Sequence, residues 1–357
     1  MADAIFRKLT TEAELSKLAS ELQIDPANNI FSSLHWGQGR ALADQTCFVE
    51  TATLDDGRQT TLCLHVKTSR SLGFNIAEMA GEPYIQYNDI ICKGGADQAA
   101  IAHFVAESLD NLKAQNVDAL HLHNVRQDSH LFDYCQKFGT LIEQKKAPYL
   151  ELTNYTDFQE YLATTSKKTR YWLRKIYREY ECEYEHYTGV GITYDVAQQA
   201  VGLKAAQLKS RGLTSRLFAD DENIDKLNRL LASNPADFKC HISMIKFDGK
   251  LASSTVFFSL GKKIYYYLLA MNDEFVKASP GNAIMLLNLE YVFGQGYEVF
   301  DFLAPEDAYK LRWTNDTFAT SYDYILPLSL KGKIYGSAYL KYLRPKLKTA
   351  YYKFKNF

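Results

Sequence analysis

The sequence lacks the features that mark several special classes of protein. Its six cysteines include no C-x-x-C pair, which argues against a zinc ribbon, and they are too sparse in 357 residues for a disulfide scaffold. We therefore expect reduced, mostly buried thiols. No window approaches the roughly 18 uninterrupted apolar residues that span a bilayer, and the N-terminus has no apolar signal-peptide core. We expect a cytoplasmic protein.

Acidic residues are missing from the C-terminal end. Residues 331–357 contain eight basic residues and no acidic one, whereas the whole chain has 41 Lys+Arg against 42 Asp+Glu. The remaining residues therefore carry 33 basic and 42 acidic side chains, a net charge of −9. A body this acidic argues against dedicated nucleic-acid binding. We expect the basic, aromatic-rich tail to dock on the body, with peripheral contact to an anionic membrane as the alternative.

Hydrophobic periodicity predicts a mixed α/β chain. In the first half, two strand-like segments flank the turn at 55–58, and helical spacing over 99–115 precedes an alternating segment at 117–123. Residues 82–91 are also strand-like, and residues 157–187 predict one long helical stretch.

The second half follows a similar order. Residues 241–271 predict a three-stranded meander with tight turns, and a helix over 283–294 leads into a strand at 297–303. A strand, a helix and a parallel strand form a crossover unit. The segment 99–123 has the same order as 283–303, so we expect two copies of one fold.

These second-half residues resemble the GNAT (acyl-CoA N-acyltransferase) superfamily. In particular, they look like its tandem-domain branch, which holds CelD-like polysaccharide-biosynthesis acetyltransferases and FemAB-like aminoacyl transferases. The order and spacing of several pieces carry the resemblance over about residues 150–325. These pieces are Ser166-Lys167-Lys168-Thr169-Arg170, Lys209-Ser210-Arg211-Gly212, the meander, Ser279-Pro280-Gly281, Asp301-Phe302-Leu303 and Tyr309-Lys310-Leu311-Arg312-Trp313.

The resemblance implies an α/β (α+β) fold of two GNAT-like domains, each a mixed twisted sheet flanked by helices. We expect an N-terminal GNAT-like domain at 1–150, a helical connecting region of the second domain at 151–235, a catalytic core at 236–330 and a basic tail at 331–357. The implied reaction moves an acyl group from acetyl-CoA or another acyl-CoA to an amine, or a hydroxyl, of a sugar or cell-surface polysaccharide precursor.

The start of the helix after the meander is the expected CoA pyrophosphate site. A helix N-terminus offers free backbone N–H groups and the positive end of its dipole, and Gly281 permits a close approach. A plain helix cap is the alternative. Tyr267 is expected to face the pantetheine arm, with core packing as its alternative. The cofactor-binding candidates are Tyr267, Ser279, Gly281, Asn282 and Ala283.

Three residues near the end of the last alternating strand are the catalytic candidates. Asp301 lies at the carboxyl end of its strand, where ligands bind in open α/β sheets, and is the candidate to orient or deprotonate the attacking group. Tyr309 is the candidate proton donor to the leaving thiolate, and Lys310 the candidate to hold a phosphate. A structural carboxylate and a solvated basic turn are the alternatives.

Four further residues are candidates for substrate binding. Arg211 ends a helix, where a cation is favourable on electrostatic grounds alone, and Arg312 follows Lys310. Tyr87 and Asp89 belong to a first-half segment that resembles the CelD-like proteins. His121 and His123 share a strand face, but no third ligand adjoins them in the sequence, so we expect no metal site.

Two other functions stay open. A FemAB-like enzyme would take an aminoacyl group from tRNA and would bind RNA through a line of cations on one helix face; a solvated face paired with glutamates is the structural alternative. A non-catalytic binding protein that kept the fold is the other function. The cations in question are Lys167, Arg170, Arg174 and Arg178.

Overall fold

The computed structural model describes residues 4–38, 46–54, 60–344 and 346. The chain divides into two compact units, one of residues 1–146 with 319–357 and the other of residues 147–318. Residues 319–330, which we expected in the second domain, thus group with the first unit. No helix in the described part of the chain is long and apolar enough to cross a membrane.

Thirteen strands are present in the described residues. In chain order they are β1 (Ile5–Leu9), β2 (Thr46–Leu54), β3 (Thr60–Ser71), β4 (Phe74–Met79), β5 (Ile91–Lys93), β6 (Ala119–Arg126), β7 (Thr140–Glu151), β8 (Cys182–Thr188), β9 (Lys239–Phe247), β10 (Lys250–Leu260), β11 (Lys263–Met271), β12 (Val299–Asp301) and β13 (Phe318–Pro327).

Ten α-helices accompany these strands within the same ranges. They are α1 (Glu12–Glu21), α2 (Gln98–Ala114), α3 (Phe132–Phe138), α4 (Phe158–Thr164), α5 (Lys167–Glu179), α6 (Tyr194–Ser210), α7 (Asp221–Ala232), α8 (Pro280–Gly294), α9 (Ala308–Thr314) and α10 (Leu330–Ile334), which continues as a π-helix over Tyr335–Leu343.

Each unit contains the expected crossover. In the first unit the strand order is β1-β2-β3-β4-β6-β13, with β5 on β3, and β4 pairs in parallel with β6. In the second unit the order is β7-β12-β11-β10-β9-β8, and β11 pairs in parallel with β12. In both units, an antiparallel meander is followed along the chain by a helix and then by a parallel strand. The expected α/β class of two GNAT-like copies with mixed sheets is confirmed.

Two segments differ from the sequence-based expectation. The stretch 157–187 is not one helix: α4 and α5 are separate, and its end is the strand β8, which pairs with β9 from Cys182 to Thr188. The alternation of Cys182, Tyr184 and His186 was the strand signal. Residues 82–90 form turns rather than a strand, and only 91–93 pair with β3.

The core of the second unit forms around α8. Ten of its fifteen residues are buried, so this helix is covered on nearly all sides. Its apolar side chains, among them Met285, Leu286 and Leu289, join Phe300, Phe302 and Trp313 in one cluster. Burial of this much apolar surface is the main stabilising contribution to the unit.

Four polar side chains form a mostly buried hydrogen-bonded series near α8. His186 Nδ1 lies 3.0 Å from Ser243 Oγ, and its Nε2 lies 3.4 Å from His241 Nδ1. His241 Nε2 in turn lies 2.9 Å from Ser259 Oγ. Burial lowers the pKa of His241 to about 3 and that of His186 to about 4. Both imidazoles are therefore neutral at physiological pH.

This pair makes the stability of the protein depend on pH. Because the folded-state pKa of His241 lies below its ordinary value of 6.5, its contribution is complete above that pH and is lost as pH falls toward the folded value. We expect the free energy of unfolding to fall by about 2 kcal/mol between pH 7 and pH 5 because of His241, which takes up a proton more readily in the unfolded state. Urea unfolding at both pH values measures this loss.

The matched variants are His241→Gln, which keeps a hydrogen-bonding side chain without the proton uptake, and His103→Gln on the exposed face of α2. The first should show a shallower fall in stability from pH 7 to pH 5 than the unsubstituted chain, and the second the same fall. An equally steep fall in His241→Gln would contradict the assignment.

Candidate functional site

The edge of β11 is left open where β12 ends. β12 pairs with β11 only from Lys263 to Tyr265, whereas β11 continues to Met271. On its other edge β11 pairs with β10 as far as Met271. Within 60–344, which the structure describes without a gap, no strand pairs with the β12 side of β11 beyond Tyr265. Such an edge presents backbone groups that an extended ligand can pair with.

Two buried charged side chains fix the turn that follows β12. Asp301 Oδ1 accepts a hydrogen bond from the Leu303 N–H at 2.8 Å, and its Oδ2 lies 3.5 Å from Lys263 Nζ. Lys310 Nζ donates to the carbonyl oxygens of Leu303 at 3.0 Å and Pro305 at 2.8 Å. Asp301 is 0% exposed and Lys310 8%. Asp301 therefore acts here as a structural carboxylate, and its catalytic role stays a prediction.

Tyr309 and Lys310 lie together on the first turn of α9. Burial lowers the pKa of Lys310, and the carboxylates of Asp307, Asp301 and Glu306 oppose that shift. An ammonium has three N–H donors, and two of those on Lys310 are directed at carbonyl oxygens. Burial, with a smaller contribution from Asp307, raises the pKa of Tyr309, so its hydroxyl stays protonated at neutral pH.

Lys204 is a half-buried cation that the sequence analysis missed. Its Nζ donates to the Leu269 carbonyl of β11 at 2.9 Å and to Gln207 Oε1 at 3.2 Å. Burial and the nearby Arg211 lower the pKa of Lys204, and the carboxylate of Asp307 raises it. Lys204 therefore links α6 to β11 and lies close to the start of α9. Its signal in the sequence was only a lysine among the apolar positions of α6.

Tyr266 brings a buried hydroxyl close to the same region. The side chain is 3% exposed, and its Oη has no hydrogen-bond partner among the described residues. Burial raises the pKa of Tyr266 well above its ordinary value, with further contributions from Tyr309 and Tyr184. An unsatisfied buried hydroxyl costs about 1–3 kcal/mol. A polar ligand atom at this position would therefore be stabilised.

The start of α8 has fewer free N–H donors than expected. Pro280 has no N–H, and those of Asn282 and Ala283 are directed at the Ser279 carbonyl oxygen, at 3.0 Å and 3.4 Å. Ser279 has a left-handed backbone (φ 55°), and its side chain does not cap the helix. Gly281 is the one residue of this turn whose N–H has no partner in the described ranges. The pyrophosphate role of 279–283 stays a prediction.

Close packing also explains why residue 281 is a glycine. A Cβ at this position would lie 2.6 Å from Met271 Sδ, at the end of β11. Because Gly281 has no side chain, the start of α8 can lie directly against the end of β11. Tyr267, the other expected cofactor residue, is half-buried and contacts Phe258 edge to face with 5.3 Å between ring centroids.

The substrate candidates occupy different environments. Arg211 is paired through Nη2 with Asp273 Oδ1 at 2.7 Å, and Arg312 is exposed on α9. In the first unit, Tyr87 is 1% exposed beneath the Arg126 guanidinium. Asp89 accepts the N–H groups of His130 and Leu131, and burial raises its pKa to about 6. These contacts hold Tyr87 and Asp89 in place within the first unit, and the substrate-binding role of the four candidates stays a prediction.

The cationic helix face is only partly available. Arg170 Nη1 donates to the carbonyl oxygens of Ala163 and Thr165 at the end of α4, at 2.8 Å and 2.7 Å, and so serves as a helix cap. Lys167 and Lys168 are exposed. The side chain of Arg174 lies outside the described residues. Among the described side chains of α5, the exposed cations are Lys167, Lys168 and Arg178.

Comparison with known proteins agrees with this geometry. Residues 167–311 match the family of acetyltransferase (GNAT) domains. No curated protein matches the chain at the level of sequence. Among solved structures, FemX superposes with a TM-score of 0.63 at 12% identity, over 92% of this chain and 98% of FemX.

Two further structures share the fold. The C-terminal domain of a putative lysylphosphatidylglycerol synthetase from Agrobacterium fabrum has a TM-score of 0.58 at 12% identity, over 92% of this chain and 97% of its own. A tandem GNAT protein from the clavulanic acid biosynthesis pathway has a TM-score of 0.52 at 11% identity, over 92% and 99%.

Residues 167–311 thus match the acetyltransferase (GNAT) domain family. The chain as a whole shares its fold with FemX and with a tandem GNAT protein.

The close approach of Gly281 to Met271 predicts a specific coupling. Gly281→Val should destabilise the protein by about 1–3 kcal/mol because the added side chain overlaps the Met271 sulfur. In a Met271→Ala background most of that cost should disappear, which a double-mutant cycle in urea unfolding measures. Gly294→Val, at the open end of the same helix with nothing within 4 Å, is the control. An identical cost in both backgrounds would refute the contact.

Proposed function

We propose that the second unit transfers an acyl group from acyl-CoA to an amine, or a hydroxyl, of an acceptor. The observation that carries this proposal is the open edge of β11 beyond Tyr265, with Tyr309 and Lys310 on the helix that follows β12. The pantetheine arm would pair with this edge as an additional strand does. The start of α8, which touches Met271 at the end of β11, would hold the pyrophosphate through the Gly281 N–H and the helix dipole.

The acyl transfer would use the charges gathered at this edge. The acceptor nitrogen or oxygen attacks the thioester carbonyl, its bond to carbon forms, and the carbon–sulfur bond then breaks. The remaining N–H direction of Lys310, with backbone N–H groups of β11, would stabilise the oxyanion. Tyr309 would give its proton to the leaving thiolate.

Asp301 would contribute to this mechanism indirectly. Its carboxylate is buried and bonded to the Leu303 N–H, so it holds the turn that carries α9. Asp307 lies on the same turn with an exposed side chain, 3.9 Å from Lys310 Nζ. We assign to Asp307 the task of accepting the proton that the acceptor loses. Arg312, exposed on α9, would bind an anionic group of the acceptor.

The acceptor class rests on family resemblance. A sugar or cell-surface polysaccharide precursor, as in the CelD-like proteins, provides the amine or hydroxyl that this reaction requires.

A second candidate is transfer of an aminoacyl group from tRNA. The small number of free N–H donors at the start of α8 and the exposed Lys167 and Lys168 on α5 favour it. The similarity to FemX concerns the same fold. In this case the open β11 edge would hold the aminoacyl end of the tRNA.

Isothermal titration calorimetry with acetyl-CoA tests the first candidate. We expect saturable binding that Asn282→Trp abolishes, because an indole at the start of α8 would cover the pyrophosphate position. Gln295→Trp, exposed at the other end of the same helix, should bind normally. Equal binding heats for both variants would show that the start of α8 is not part of the acetyl-CoA site.

Charge reversal on α5 separates the two candidates. The double variant Lys167→Glu, Lys168→Glu should bind acetyl-CoA as the unsubstituted chain does. If tRNA is the donor, the unsubstituted chain should bind aminoacyl-tRNA in filter binding with strong salt dependence, and the double variant should lose that binding. Absence of acetyl-CoA binding together with charge-dependent tRNA binding would overturn the first candidate in favour of the second.

A further inference from the structure

Three metal-ligating side chains converge on the sheet of the first unit. Glu78 on β4 and His121 on β6 are register partners in a parallel pair, so their side chains lie on one face. His123, two residues further along β6, shares that face. One ligand atom from each of the three residues lies within 4.8 Å of the others, and His123 Nε2 is 3.5 Å from Glu78 Oε1.

His121 is buried and makes no hydrogen bond to any other described residue. Its side chain is 4% exposed, and its ring centroid lies 3.9 Å from that of His123. The Tyr335 ring lies 6.4 Å from the His121 ring between centroids, at an interplanar angle of 76°. The His121 ring nitrogens are thus free of hydrogen bonds from the described protein residues and lie beside a second imidazole and a carboxylate. They are available to a ligand that the three side chains share.

The surroundings of His123 have the form of an outer ligand shell. Its Nε2 faces Glu78, while its Nδ1 lies 3.7 Å from Asp323 Oδ2 on β13. Asp323 is held in turn by Lys145 Nζ at 2.7 Å and by the N–H of Asn124 at 2.8 Å. The second nitrogen of a metal-bound histidine almost always donates to a carboxylate, a backbone carbonyl or water, which fixes the ring and its tautomer.

We infer that Glu78, His121 and His123 bind one Zn²⁺ ion, with a fourth position open to water. Two imidazoles and one carboxylate suit Zn²⁺ and neighbouring transition metals rather than Mg²⁺ or Ca²⁺. Bonds of about 2.1 Å in tetrahedral geometry put ligand atoms about 3.4 Å apart, so the site must contract slightly on binding. Glu78 and His123 are half-buried, which gives the ion a path from solvent.

The metal-free alternative is an ion network in which a protonated His123 bridges Glu78 and Asp323. That network gives no function to the unpartnered ring of His121. The two arrangements also differ in their dependence on His121, because the bridge does not involve this residue. Substitution of His121 therefore distinguishes them.

Titration of the tag-free, EDTA-dialysed chain with Co²⁺ provides the test, since the visible bands of Co²⁺ depend directly on its ligands. We expect one equivalent to bind with tetrahedral-type bands that Zn²⁺ abolishes. His121→Ala and His121→Gln should weaken binding at least tenfold, and Asp323→Asn, which alters only the outer shell, about 10–100-fold. His103→Ala on α2 and Cys182→Ser should bind as the unsubstituted chain does.

Circular dichroism and thermal unfolding of each metal-free variant show whether it is folded. Absence of stoichiometric Co²⁺ binding to the unsubstituted chain would overturn the proposal. Binding that survives in a folded His121→Gln variant would overturn it as well and would leave the ion network as the account of this cluster.

Discussion

The ammonium of Lys310 is the interaction on which the candidate site depends. It is buried, and it donates to two carbonyl oxygens of the turn after β12. Asp301 fixes the other side of the same turn through the Leu303 N–H. These two charges hold the chain in a turn after three residues of β12, so the β12-side edge of β11 is open from Tyr266 to Met271. Burying both ions is costly, and their hydrogen bonds offset that cost.

The first unit contains the same crossover but fills the corresponding space with its own chain. β4 pairs with β6 only from Ile76 to Glu78. Beyond that point the Asn88 N–H bonds to the His123 carbonyl oxygen at 3.1 Å, and the Asn88 side chain accepts the His123 N–H at 2.7 Å. The segment at 82–90 thus occupies the edge of β6. An edge already paired in this way is not available to an acyl donor, which supports our proposal that the donor binds the second unit.

The sequence predicts the parts of the fold that depend on local periodicity. The meander at 241–271 and the crossover through α8 both come from hydrophobic spacing and turn residues, whereas the family resemblance comes from the order of short motifs such as 279–281 and 309–313. β8 was missed because its alternating residues directly follow the helical pattern of α5, so the two segments were interpreted as one helix. The turns at 82–90 were missed because Asn88 and Asp89 find their partners on distant segments, near His123 and His130.

The candidate site was predictable only in part for a related reason. Tyr309 and Lys310 were predicted because they follow a strand end, where ligands bind in α/β proteins, and their catalytic role stays a prediction. Lys204 and Glu78 were missed because their importance arises from tertiary neighbours, the Leu269 carbonyl and the two histidines of β6. The packing of Gly281 against Met271 was likewise invisible in the sequence, where Gly281 resembled only a phosphate-loop residue.

In our proposal the acyl donor pairs with the open edge of β11. Hydrogen–deuterium exchange of residues 266–271, with and without acetyl-CoA, reports this pairing, because backbone amides that gain a partner exchange more slowly. We expect slower exchange at the alternate amides of this segment that face away from β10, and unchanged exchange in β9, which is already paired on both sides. Binding of acetyl-CoA with no slowing of exchange at any amide of 266–271 would show that the donor does not pair with this edge.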